Sequence, residues 1–275
     1  MEVIKHIKDL LEEENKQIET IKTGYTTIDN MILGMRRREL VLFASTPGVG
    51  KTAMLLNLAL NMAKSKTPVL FITYETTARK ISEKLLGILA GIDPFLLEKD
   101  EIPDNQKDSI EEAKNYLASL PLYISEQFIF TGKILKNEMQ ELNSTKVKAI
   151  FIDSLQFVQY SSQENAEERD IENTMFLKNF ARQNDLAIIV STQIRSRNIP
   201  QGKTPTLTDI GGEEELSDMV FILHRPYAYS MDQYVGDIEE LIVQLAKNRN
   251  GPSATFKLMF SRRTLKIEER KTDTF

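Results

Sequence analysis

Uninterrupted apolar runs recur along this chain: ELVLFA (39–44), VLFITYE (69–75), PLYIS (121–125), KAIFID (148–153), LAIIVST (186–192) and MVFILH (219–224). Rich in Val, Ile, Leu and Phe and without polar alternation, they read as strands buried on both faces. Helical patterns fill the intervals near 52–65, 77–90, 106–118, 131–143 and 167–183. The alternation predicts an α/β fold, a mostly parallel twisted sheet flanked by helices. The end of the chain differs. EELIVQLAK (239–247) and ATFKLMF (254–260) enclose Asn248-Arg249-Asn250-Gly251-Pro252 and read as a β-hairpin appended to the sheet. At the start, residues 2–21 read as a helix set apart, with Ile4, Ile7, Leu11, Ile18 and Ile21 in three- and four-residue steps and Glu14 breaking the stripe. So narrow a seam suits a neighbouring subunit as well as a fold-back onto its own domain.

Composition narrows the classes. The 275 residues divide into a helix at 1–22, one α/β domain over 23–270 and a loose tail at 271–275. Hydrophobic residues at 41% and charged residues at 27% exclude wholesale disorder. The absence of cysteine removes disulfides, thiolate metal sites and cysteine nucleophiles. His6 and His224 are the only histidines, too few for a multi-histidine metal centre. With no signal core and no apolar run long enough to span a bilayer, a cytoplasmic setting and no membrane partner are expected. The net charge of −5 argues against a nucleic-acid coat and leaves room for a basic groove.

The strongest chemical signal is STPGVGKT, running through Ser45, Thr46, Pro47, Gly48, Val49, Gly50, Lys51 and Thr52 to Ala53, between a predicted strand and a predicted helix. Glycines there let backbone N–H groups curl around phosphate oxygens, and the helix start adds its dipole. Lys51 reaches the β/γ phosphates and the Thr52 hydroxyl ligates Mg²⁺, so ATP with Mg²⁺ is the expected cofactor pair. Ser45 stands where the motif has Gly. Asp153, closing a buried strand, is the second metal anchor, and Glu75, ending VLFITYE, is a candidate to hold and deprotonate the attacking water. Gln193, ending LAIIVSTQ, is placed to sense the γ-phosphate. Lys247 and Arg249, two residues apart on the hairpin, suit an arginine-finger role; if far from their own P-loop, they must serve a neighbour's. Arg225, with Tyr227 and Tyr229 nearby, is a candidate to flank the base.

Together these residues resemble the RecA-type motor domain of the DnaB-like replicative helicases, from about Thr23 to Phe260. TGYTTIDNMILGMRRRELVLFAS resembles the family's entry segment, and PGVGKTAMLLNLA its P-loop. FITYETT is similar to the strand carrying the catalytic glutamate, here Glu75. IFIDSLQFV resembles the Asp strand with its continuation, here Asp153 and Gln156. VSTQ stands where the family has a phosphate-sensing glutamine, here Gln193, and AKNRNGP resembles the hairpin whose Lys and Arg reach the adjacent subunit's nucleotide. The resemblance implies a hexameric ring that hydrolyses ATP between subunits and moves 5′ to 3′ on single-stranded DNA, with primase or a helicase loader as further partners. It also makes residues 2–21 a linker helix docking on a neighbour, with no chain left for the family's N-terminal domain.

One departure bears on DNA. The expected Gly-rich pore loop reads GGEEELSDM, with Gly211 and Gly212 followed by Glu213, Glu214 and Glu215. Three carboxylates repel a phosphodiester unless they point outward or start a helix. Arg169, Arg195, Arg197 and Lys203, with Gly211 and Gly212, are the candidate DNA contacts. The acidic run favours an alternative: a RecA-like ATPase without helicase work, acting as regulator, loader or scaffold through protein contacts. A recombinase or clock-type relative fits the AKNRNGP hairpin less well.

Overall fold

The computed structural model describes residues 19–99, 101–127, 146–194, 203–226 and 236–270, with positions 7 and 137 besides. Most of the expected helices at 131–143 and 2–21, with Arg195, Arg197, Tyr227, Tyr229 and the tail at 271–275, therefore lie outside the described residues. The strands, in chain order, are β1 (Thr20–Ile21), β2 (Met35–Arg36), β3 (Leu40–Ser45), β4 (Val69–Thr73), β5 (Leu122–Glu126), β6 (Ala149–Asp153), β7 (Ala187–Gln193), β8 (Met219–His224), β9 (Ile238–Asn248), β10 (Ala254–Ser261) and β11 (Ile267–Glu269). The α-helices are α1 (Thr26–Ile32), α2 (Lys51–Lys64), α3 (Ala78–Ala90), α4 (Pro94–Glu98), α5 (Lys107–Ala118), α6 (Ala166–Asn184) and α7 (Glu213–Leu216).

Nine strands form one sheet in the order β11-β10-β9-β8-β3-β7-β6-β4-β5. From β8 to β5 every pairing is parallel, and β9, β10 and β11 extend it antiparallel. Alternate residues of a strand enter opposite layers, as a sheet covered on both faces requires. On β3, Val41 and Phe43 join the layer containing α2, while Leu40, Leu42 and Ala44 join the layer containing α6. Phe43 stacks on Phe221 of β8 at 4.7 Å between ring centroids. Each fully buried side chain of this size contributes about 1.5–3 kcal/mol, so two such layers anchor the strand ends where chemistry is placed.

The sequence pattern misassigns the first turn of the domain. Thr20 and Ile21, read as the end of a helix, instead pair with Arg36 and Met35 across a two-stranded ribbon. Ile21 is buried in the α2 layer, and its backbone passes so close to Gly34 (φ 100°) that a Cβ there would lie 2.9 Å from the Ile21 carbonyl oxygen. Packing on the domain core thus overrides the helical spacing. The carboxylate of Asp29 secures the next turn by accepting the N–H groups of Thr23 (2.8 Å) and Gly24 (3.2 Å).

Candidate active site

The P-loop lies where β3 hands over to α2. Gly48 (φ 75°) and Gly50 (φ 110°) occupy left-handed conformations there, which a side chain would strain. Ser45 is accommodated because its buried hydroxyl donates to the Thr46 carbonyl at 2.8 Å. Lys51 folds back over the loop, its Nζ 3.2 Å from the Ser45 carbonyl oxygen and 3.3 Å from Ser45 Oγ. Burial lowers the Lys51 pKa, with Asp153 and Glu75 pulling the other way.

Asp153 meets this loop from β6. Its Oδ2 accepts the Thr52 hydroxyl at 2.7 Å and its Oδ1 accepts the Ser191 hydroxyl, from β7, at 2.6 Å. One hydroxyl and one carboxylate form the sparse donor set that Mg²⁺ takes from a protein when phosphates and water complete its octahedron. Among the described residues no cluster of three or more His, Asp or Glu side chains offers a self-sufficient metal cage. The residues present fit a magnesium-bound triphosphate.

Beside the loop is a cavity of about 330 Å³ lined by Gly48, Gly50, Thr52, Lys84, Arg225 and Phe260, among others. Arg225, buried, donates to the Gly48 carbonyl, pairs with Glu239 at 2.6 Å and lies over the Phe260 ring at 4.7 Å. Glu75 is exposed just past β4, which ends at Thr73, two residues before the predicted limit. Gln193 is exposed at the end of β7, in register with Ser45.

Two side chains at this site were missed by sequence reasoning. Ser191 gives no signal, because its bond to Asp153 crosses between strands far apart in sequence. Lys84 does leave a trace, three residues after Ile81 and next to Leu85 on the face of α3 that packs inward. Burial lowers its pKa, opposed by Asp153 and Glu75 and assisted by Lys80.

Lys247 and Arg249 are not at this loop. The Arg249 N–H donates to the Asp218 carbonyl, and the Asp218 N–H to that of Leu40, so Arg249 is level with the first residue of β3. Five residue steps separate it from Ser45, about 16 Å along the strand. Lys247 Nζ donates to the carbonyls of Glu214 (2.7 Å) and Glu215 (2.9 Å), and Arg249 Nη2 to that of Glu215 (2.9 Å).

The segment expected to repel DNA is a helix start. Glu213 is buried, and Glu214 turns back to accept the Gly212 N–H at 2.8 Å. Gly211 and Gly212 lie against the first turns of α6, beside Glu167 and Ile171, whereas Arg169, two residues from each, is on another face of that helix. Lys203 is exposed, in a different stretch of chain.

A P-loop at the carboxyl edge of a parallel sheet, with an aspartate on a non-adjacent strand closing on its threonine, defines a RecA-like α/β nucleotide-binding fold. The chain matches the DnaB-like helicase C terminal domain over residues 20–269 and belongs to that family. A probable replicative DNA helicase of Trieres chinensis is 31% identical over 256 residues, covering 87% of this chain and 55% of that protein. The replicative DNA helicase DnaB of Geobacillus stearothermophilus is 30% identical over 260 residues, covering 92% and 57%. The chain thus spans about half the length of the curated relatives it matches. In fold it superposes on a solved ATPase domain with a TM-score of 0.84 at 21% identity, over 96% of both chains. A DnaB-like replicative helicase studied for its interactions with primase gives the same TM-score over 96% of this chain and 65% of that one. Among the described residues no helix is long and apolar enough to cross a membrane.

Proposed function

We propose that this chain is the ATP-hydrolysing motor of a replicative DNA helicase, assembled as a ring with its nucleotide sites between subunits. The carrying observation is the separation within one chain: Lys247 and Arg249 are level with Leu42 and Leu40, roughly 10 and 16 Å along the strand from the Ser45 end of β3, where the Lys51–Thr52–Asp153 cluster lies. A triphosphate in this P-loop leaves its own finger pair out of reach, so the neighbour's pair completes the site. Thr52 and Asp153 would hold Mg²⁺, which would supply neutralisation of charge on the phosphates during transfer. Lys51 and Lys84 face the phosphate oxygens, Glu75 orients the water, and Arg225 with Phe260 borders the far side of the cavity. Gln193, beside Ser45 at the sheet edge, couples loss of the γ-phosphate to strand-end loops that contact single-stranded DNA. Gly211 and Gly212, packed on the first turns of α6, are carried into the proposal as DNA contacts, with Arg169 farther round that helix. Movement 5′ to 3′ and primase as partner are carried over from the family resemblance as parts of this proposal.

The test is ATP hydrolysis by the purified chain with and without oligo-dT, beside Lys51→Ala. Severalfold stimulation, abolished in the variant, is the expected result. Turnover indifferent to DNA would reject the motor and favour an ATPase acting through protein contacts. The inward turn of Glu213 and the cap made by Glu214 weaken the charge objection behind that alternative, with Glu215 left exposed.

A further inference from the structure

The acidic run 213–215 has a use that neither nucleotide nor DNA binding absorbs. Four residues are too few for a helix to hold itself, so α7 takes its place from partners at its two ends. At the start, Glu213 is 3% exposed and its Oε1 accepts the Thr192 hydroxyl at 2.9 Å. Thr192 Oγ1 in turn accepts from Gln156 Nε2 at 2.8 Å. The Ser217 hydroxyl closes the turn onto the Glu213 carbonyl at 2.9 Å. At the finish, cations gather on the last carbonyls, as suits a helix C-terminus. Lys247 and Arg249 hold those of Glu214 and Glu215, and Lys178 holds that of Leu216 at 2.5 Å.

Thr192 sits between two residues of the nucleotide site. Ser191 before it bonds Asp153, and Gln193 after it is level with Ser45. A buried carboxyl costs stability wherever a partner is missing, and Glu213 Oε2 is buried with no hydrogen-bond partner among the described residues. That cost falls at the joint between the strand that faces the chain's own nucleotide and the helix that holds its finger pair.

We propose that Glu213 is a positioning residue for Lys247 and Arg249: its bond to Thr192 fixes α7, and α7 sets where the two cations stand when they reach a neighbouring subunit. The inference rests on the reading that this pair completes the neighbour's site. A shift in the end of β7 then reaches the finger pair through one side-chain hydrogen bond and four residues of helix. Because the fingers act on charge developing in the transition state, loosening α7 lowers kcat and leaves ATP capture largely intact.

The experiment measures steady-state ATP turnover of the full chain with oligo-dT for Glu213→Ala, Thr192→Val, their double variant and Glu213→Gln, with Arg249→Ala as reference. Each of the first two is expected to lower kcat roughly five- to tenfold with KM for ATP within about twofold. The double variant is expected to fall no further than the singles, because both cut one bond. Since burial pushes the Glu213 carboxyl up, the neutral amide is a close mimic, and Glu213→Gln is expected to recover most of the turnover. A kcat unchanged in either single variant, a KM rising in step with the loss, additive losses in the double variant, or dissociation of the assembly on sedimentation would each overturn the proposal. The control separates two failures. An Arg249→Ala chain that turns over normally defeats the finger reading itself; a dead Arg249→Ala chain beside fully active Glu213 and Thr192 variants defeats only this inference.

Discussion

Asp153 has a partner on each carboxylate oxygen, Thr52 at 2.7 Å and Ser191 at 2.6 Å. If the Thr52 hydroxyl were to turn to Mg²⁺, the Ser191 hydroxyl would still hold the Asp153 carboxylate. Outer partners of this kind are worth about 10- to 100-fold in metal affinity or activity when removed. Ser191→Ala is therefore expected to raise the Mg²⁺ concentration for half-maximal turnover about tenfold. The same change should cost about 1–3 kcal/mol in urea unfolding, because it leaves the buried Asp153 Oδ1 without that partner. A superimposable Mg²⁺ titration would remove Ser191 from the site. At this scale the P-loop and Asp153 were legible because the motif is contiguous and the aspartate ends an apolar run. Ser191 and Lys84 were not, since what brings them to the site is the order of strands and the packing of α3, which no local pattern states.

Elements followed the same division. Strands buried on both faces announced themselves by apolar runs, and β3, β6, β7 and β8 fall within a residue or so of the predicted limits. Short elements held by tertiary contacts left no such mark: β1, α7 and the edge strand β11, whose sequence is Ile267-Glu268-Glu269. Asn57 explains how β11 is held. From within α2 it donates to the Leu265 carbonyl at 2.8 Å and accepts the Ile267 N–H at 3.0 Å, on either side of the turn into the strand. Asn57→Ala leaves both backbone groups without that partner, at about 1–3 kcal/mol each. Urea unfolding should accordingly show a loss of about 2–6 kcal/mol. Asn61→Ala, one helical turn on, removes a single bond of 3.2 Å to the Thr23 carbonyl and should cost under about 1 kcal/mol. Equal losses in the two variants would mean that Asn57 acts only by filling space.

For the whole molecule, the proposed function makes the distance between the P-loop and Lys247 and Arg249 the test of whether sites are shared. A head-to-tail ring places one chain's P-loop against the next chain's finger edge at every interface. A Lys51→Ala chain then has fingers and no working P-loop, and an Arg249→Ala chain has the reverse. Each alone is expected to be inactive, because every interface lacks one half. Mixed in equal amounts and allowed to exchange subunits, about a quarter of the interfaces join an intact P-loop to an intact finger pair. Single-turnover hydrolysis counts such interfaces directly, since each site need fire once and a dead neighbour elsewhere in the ring does not stall it. A burst of about a quarter of the wild-type amplitude is therefore the expected reading for sites built from two chains. Sites complete within one chain would give no burst from the mixture, because neither parent has one to contribute. Fingers reaching their own P-loop would require β9 to leave β8, breaking the pairings from Met219–Asn248 to His224–Ile242 that hold it level with the far end of β3. On the proposed reading, recovery on mixing is therefore the outcome expected from the register that holds β9 against β8.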